Sequence, residues 1–242
     1  MPEIGEAVRY RVGIPTPLLM SWVTVLVIFA VSWLAVRRLQ EKPGRLQGLF
    51  ETCFQFIFDL VDSSIGPDGR SFYPLFLGMF LYILVGNLLG LVPGLMSPTA
   101  NLNTTIALAL VTFFSTHFFG MRKQGFFRYV GHFVAGVPLW LKPLMFVIEM
   151  IGELARPLSL SFRLFGNIMA KELLLGILAF LVVFLYSAGG VVDTVMTVVP
   201  LLLRPLIILL GLLVGFIQAF IFTLLSIVYV GGAVRGHAER SH

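Results

Sequence analysis

The chain has 242 residues, of which 58% are hydrophobic and 12% charged, about half the charged share of an ordinary soluble domain, and its mean hydropathy is +0.96. A water-soluble globular protein is excluded and a polytopic all-α membrane protein indicated. The net charge of +5 does not point to nucleic acid, because most cations sit in short clusters between apolar runs, as on the cytoplasmic side of a membrane protein; the lone Cys53 excludes an internal disulfide.

The opening Met-Pro-Glu-Ile-Gly-Glu lacks the basic region of a cleavable signal, so the first apolar run is expected to be retained. That run, 18–36, carries no charge and is long enough for a hydrocarbon core about 30 Å thick. Arg37, Arg38, Lys42 and Arg45 follow at once, which places this end in the cytoplasm and the N-terminus outside. In 46–65 Glu51, Asp59 and Asp62 are spread among Phe50, Phe54, Ile57, Phe58 and Leu60. This is the pattern of an interfacial amphipathic helix rather than a span, the alternative being a soluble connector. After a turn at 66–69, a second span is expected over 72–92, where Gly86 and Gly90 in GxxxG spacing mark close helix packing. The loop 93–103 has no Lys or Arg and faces outward; 104–121 returns to Arg122, Lys123 and Arg128. His117 is either a proton relay or, more simply, a helix-end histidine.

The last third holds two runs, 144–186 and 191–234, with only scattered polar interruption. A straight helix of more than forty residues measures about 60 Å, twice the hydrocarbon thickness. Each run must therefore be strongly tilted, bent or divided, with Pro157, Pro200 and Pro205 as expected bends or boundaries. The short link at 187–190 makes them an antiparallel pair. The resulting fold is a single membrane domain of about five membrane-crossing helices plus one interfacial helix. Eleven Lys or Arg then flank the inner side against Arg9 and Arg11 outside, and the C-terminus is cytoplasmic.

Within the stretch 157–173 lies Arg163, a guanidinium that cannot be neutralised by deprotonation and that costs roughly 2.5–3.5 kcal/mol at the middle of a bilayer. Its helical neighbours Ser159, Leu160, Gly166 and Asn167 include no acid. Glu172 is on the opposite face about 13 Å along the axis, and Glu153 is about as distant. The counter-charge must come from another helix or another polypeptide. Glu149 and Glu153 stand one turn apart near the inner end, where like charge and partial desolvation oppose ionising both while Arg156 favours it. With Glu172 towards the outer end, carboxylates approach each membrane face and a permanent cation separates them. That is the layout of two proton half-paths divided by a positive gate. On the second long run Gln218 shares a stripe with Gly211 and Tyr229, and either hydrogen-bonds Arg163 or holds helices together. Asp193 and Arg204 receive no role.

The segment 157–173 with Arg163-Leu-Phe-Gly-Asn167 at its heart, and Gln218-Ala-Phe-Ile-Phe222 followed by Tyr229, resemble the two signature segments of subunit a of the F-type ATP synthase. The Pro98-Thr-Ala-Asn-Leu-Asn103 loop and the helix layout extend the resemblance over essentially the whole chain. The resemblance implies a stator protein of a bacterial plasma membrane, not an enzyme by itself, that clasps a rotating c-ring beside the peripheral-stalk subunit b and membrane lipid. A ring carboxylate would be the missing partner of Arg163, the essential charge of proton translocation. By the same resemblance Asn167 and Glu172 match entry-side positions, Asn101 and Asn103 lie near the mouth of that channel, Gln218 neighbours the arginine, Glu149 and Glu153 belong to the exit side, and Ser159 joins the proton path. Two departures stand out: many relatives have an ionisable residue where this chain has Gly211, and some have Asp where Asn101 stands, so Glu172 is expected to relay through water. Lys171 either favours the ionised form of Glu172 or, as expected here, snorkels to the outer interface. No cofactor or metal is expected. The rival reading is a free-standing secondary cation/proton transporter, against which stand the lack of an internal repeat and of a mid-depth carboxylate pair; no hydrolase motif appears either.

Overall fold

The structure, a computed structural model, describes residues 15–36, 44–92, 94–125, 129, 138, 140–188, 190 and 195–235. Arg9, Arg11, Arg37, Arg38, Lys42, Arg128, Asp193 and Arg240 lie outside the described residues. Six α-helices are described: α1 (Thr16–Val36), α2 (Arg45–Ile65), α3 (Tyr73–Leu89), α4 (Leu102–Gln124), α5 (Lys142–Ala188) and α6 (Val198–Arg235), with 3₁₀ turns at Pro67–Phe72 and Pro98–Ala100. Among the described residues there is no strand, as hydrocarbon demands of a chain that must pair its backbone groups within each segment. Five of the six, all but α2, are long and apolar enough to cross a membrane. The chain is an all-helical polytopic membrane protein.

The exception is explained by its pattern. On α2 Ile57, Val61 and Ile65 recur at four-residue spacing and are buried, whereas Asp59, Asp62 and Ser63 face outward, so one stripe packs inward and the rest stays wet. α1 is apolar throughout but carries Trp22, Phe29 and Trp33 more than half exposed. It touches the bundle through Met20 and Thr24, both buried, and through Ser21, which accepts from the Tyr82 hydroxyl at 2.9 Å.

α6 is the hub, packing on α2, α3, α4 and α5. Ala219, Phe222, Ile227 and Val230 of α6 meet Phe76, Phe80 and Ile83 of α3 and Leu160, Leu164 and Ile168 of α5 in one apolar core. The spacing of the α5 residues, four by four, gives that helix a single covered face. α5 has 47 residues and α6 has 38, about 70 and 57 Å of helix. Both continue through their internal prolines, Pro157 and Pro205, while Pro200 falls in the first turn of α6, where no N–H is missed.

The glycines of the GxxxG pair, Gly86 in α3 and Gly90 just past its end, admit the Ser97–Pro98 loop, and Gly86 also meets Thr24 of α1. A Cβ on Gly90 would stand 2.7 Å from Ser97 Cβ, and one on Gly86 would stand 3.1 Å from Pro98 Cγ. Their bareness presses the Ser97 segment onto α3 and so positions its hydroxyl and N–H.

Candidate functional site: a polar seam and a bare face

The polar residues of α5 and α6 meet in antiparallel register. Near the Arg122 end of the bundle the Arg156 guanidinium lies over the Tyr229 ring, 5.3 Å from its centroid. Eleven residues further along α5 and eleven back along α6, Asn167 Nδ2 donates to Gln218 Oε1 at 3.0 Å. Beyond that the Lys171 stem crosses Gly211, where a Cβ would approach Lys171 Cδ to 2.8 Å. The stripe formed by Gly211, Gln218 and Tyr229 thus faces α5 along its length. Gln218 is 2% exposed, and its Nε2 has no partner among the described residues. Of the two alternatives for Gln218, the bond present joins the helix pair: Gln218 accepts from Asn167 of α5.

Lys171 does not snorkel. Its Nζ is enclosed and without a hydrogen-bond partner among the described residues, because Gly211 and Leu91 leave a notch that its stem fills. The missing side chain at position 211 is therefore replaced in space by one from α5.

Arg163 stands at the open edge of this seam. Leu160, Leu164 and Ile168 are buried, whereas Ser159, Phe162, Arg163, Gly166, Asn167 and Ala170 are exposed, and Arg163 lies one turn from Asn167, within about 40° of it around α5. Gly152, Gly166 and Gly176 have open space where a Cβ would project. The ion pair described in α5 joins Arg156 to Glu153; among the described residues no acid pairs with Arg163. The permanent charge stands on a face that the described residues leave exposed, flanked by Ser159, Gly166 and Ala170.

Towards the Ser97 end a buried hydrogen-bonded chain begins at Glu172. Its Oε1 accepts from the Ser97 N–H at 3.2 Å. The Ser97 hydroxyl reaches the Gly86 carbonyl at 3.0 Å and Thr99 Oγ1 at 2.6 Å. Thr99 donates to Asn87 Oδ1 at 2.8 Å, and Asn87 Nδ2 donates to the Gly215 carbonyl of α6 at 3.0 Å. Two hydroxyl protons serve these three contacts of Ser97 and Thr99, so one contact is always short of a proton and either hydroxyl can turn to supply it. Asn87, Ser97 and Thr99 are not singled out by sequence reasoning; an amide in the apolar run 72–92 is the available sign. Asn101 instead caps α4, its Oδ1 accepting from the Asn103 N–H at 2.9 Å, and Asn103 is exposed. One turn into α4, Thr105 and Ser161 are joined at 3.0 Å.

Towards the Arg122 end Glu153 is 7% exposed and takes Arg156 Nη1 at 2.6 Å. Pro157 has no N–H to offer the Glu153 carbonyl one turn back. Thr112, Thr116, Glu153, Arg156 and Tyr229 line a cavity of about 10 Å³, the room one water needs. Thr112 and Ser226 close its neighbourhood at 3.0 Å. Tyr129, in the connection beyond α4, has its phenol pushed up to about 12, by burial first and by the Glu153 charge second. Glu149 is half-buried one turn from Glu153. His117 lies 3.0 Å, Nδ1 to carbonyl, from Phe113 of its own helix and packs on that ring.

A known family matches most of the chain that carries this site. The model of the ATP synthase A chain aligns with residues 18–231. The chain belongs to the ATP synthase subunit a family. ATP synthase subunit a 1 of Syntrophotalea carbinolica is 45% identical over 214 residues, covering 88% of this chain and 83% of its own. Subunit a of Geobacter sulfurreducens is 42% identical over 88% of this chain and 85% of its own, and that of Geotalea daltonii 41% over 90% and 87%. Membership in the subunit a family makes the chain a multi-pass membrane subunit of a proton-translocating ATP synthase.

Proposed function

We propose that this chain is the stator channel of the synthase: two offset half-paths that load and unload protons on the carboxylates of a rotating c-ring, with Arg163 as the charge between them. The observation that carries the reading is the placement of Arg163, on an uncovered stripe of α5 with open space at Gly152 and Gly166. A ring helix can approach such a stripe closely, and its carboxylate would complete the arginine.

The chemistry is dictated by the charge. A carboxylic acid arriving beside a permanent guanidinium is more stable ionised, so it releases its proton. The carboxylate cannot leave into hydrocarbon until it is reprotonated, since an unpaired ion there is costly. The same cation repels a proton moving directly between the half-paths. Each charge carried across is worth about 2.3 kcal/mol per 100 mV, so a leak past Arg163 would dissipate the drive.

The entry half-path runs along Glu172, Ser97, Thr99 and Asn87 to the Asn167–Gln218 bridge. The unpartnered Gln218 Nε2 and Lys171 Nζ mark where water completes it. Asn101 and Asn103 stand at its mouth. The exit half-path uses Glu149 and Glu153 with the small cavity beside Arg156, and Ser159, one turn from Arg163 on the bare stripe, is passed by the departing carboxyl. The Ser97 end faces outside and the Arg122 end the cytoplasm of a bacterial plasma membrane. By this reading the N-terminus is outside, the C-terminus is inside, and the other partners are subunit b and lipid. The chain by itself catalyses nothing.

The test compares the assembled synthase with its Arg163→Ala variant in membrane vesicles. ATP-driven proton pumping is expected to vanish while passive proton flux rises. Unchanged pumping would remove Arg163 from the mechanism and the proposal with it.

A further inference from the structure

We infer that the Arg122 end of the bundle carries a binding site for the headgroup of an anionic phospholipid. Three elements end together there. The 3₁₀ turn Pro67–Phe72 brings Ser71 and Phe72, the last turns of α4 bring Phe119, Arg122 and Lys123, and α6 brings Val234. They line an open groove of about 400 Å³, large enough for a phosphoglycerol headgroup.

The groove has two zones. Its floor is apolar: Phe72 is 6% and Val234 4% exposed, and the Phe72 and Phe119 rings meet edge to face at 4.5 Å. Its rim is polar, formed by the exposed Arg122 and Lys123 and by the exposed Ser71. None of the six lining residues is acidic. A guanidinium, an ammonium and a hydroxyl around one opening supply charge-assisted donors for a phosphate diester. The apolar floor is what distinguishes a lipid from a free anion, because it offers a surface to glycerol and the first acyl carbons. Position agrees, since the span Leu102–Gln124 ends at these cations and puts the groove at headgroup depth. Basic pockets between spanning helices hold anionic lipids in this manner.

The test uses phosphatidylglycerol with a photo-crosslinker on its headgroup, present in phosphatidylcholine vesicles that contain the assembled complex. The readout is labelling rather than proton transport, so it stands or falls independently of the role of Arg163. Labelling is expected within residues 70–73 or 121–124, competed by unlabelled phosphatidylglycerol but not by inorganic phosphate. Each cation near a membrane surface contributes roughly fivefold in affinity, so the double variant Arg122→Gln, Lys123→Gln loses more than about tenfold of the labelling. Ser71→Glu, at an exposed position, loses it by charge alone and decides the matter if the double variant does not assemble. Lys142→Gln, a basic position outside the groove, keeps it. Equal labelling in wild type and both groove variants, equal loss in Lys142→Gln, or competition by inorganic phosphate would overturn the inference.

Discussion

The two sides of α5 differ in what fills the space beside them. Along the seam towards α6 Glu153 has Arg156, Arg156 has Tyr229, Asn167 at the seam's exposed edge has Gln218 and the Lys171 stem has the Gly211 notch. On the bare side the one permanent charge, Arg163, has no acid from the described residues, and glycines leave room around it. Groups that the subunit completes for itself set the register of the helix pair. By the proposed function, the group it leaves incomplete is the one presented to the ring. On that reading the seam is the scaffold that positions Arg163, and the bare face is where the charge acts.

The sharpest way to break this contrast is to add bulk to the bare face alone. Gly166→Leu has open space within the subunit, so the subunit should assemble at its normal level while ATP-driven pumping falls by more than about tenfold, consistent with a displaced approach of reacting groups. Normal pumping in that variant would mean that nothing packs on the stripe. Disturbing the seam should cost less. Gln218→Leu removes the acceptor of the exposed Asn167 amide, a loss of about 0.5–1.5 kcal/mol, read as a lower thermal midpoint of the complex together with a several-fold slower pumping rate. Gly211→Leu forces the Lys171 stem aside, with about 1–3 kcal/mol of overpacking; pairing it with Lys171→Ala should restore most of the lost stability, and failure of that rescue would separate the two residues. Glu153→Gln weakens a pair whose arginine is 41% exposed, so about 1 kcal/mol or less is expected in stability. The smallest effect lies off both faces, at Cys53 on α2. Burial raises its thiol above the ordinary value, so its thiolate fraction at neutral pH is depressed. Alkylation should be slower than for free cysteine and keep accelerating as pH climbs past the free-thiol pKa of about 8.5.

Much of this organisation is readable from residue order. An apolar run interrupted by one arginine with no acid at helical contact distance predicts a charge in search of a partner, and the structure leaves Arg163 in that condition. Glu51, Asp59 and Asp62, spread among Phe50, Phe54, Ile57, Phe58 and Leu60, tell α2 from a span. Other parts are not readable. Lys171 is expected at the interface and is enclosed; Gln218, left open between bonding Arg163 and holding helices together, accepts from Asn167; the GxxxG glycines are expected to pack helices, and Gly90 receives a loop while Gly86 meets both that loop and Thr24 of α1. Each of these depends on what approaches from a distant segment: α6 on Lys171, Asn167 on Gln218, Ser97 on Gly90.

Residue order alone dictates the features set by local chemistry and helical period: membrane residence from composition, the helices from apolar runs, the antiparallel pair from its short link, and the isolation of Arg163 from its neighbours at three and four residues. The packing of distant segments decides the register between α5 and α6, the chain of hydroxyls and amides from Glu172 through Ser97, Thr99 and Asn87 to Gly215, and which side of α5 is left open. The physical reason is that a helix specifies directions around its own axis, whereas hydrogen bonds and packed notches between helices depend on the translation and rotation of one axis against another, which the whole core determines at once.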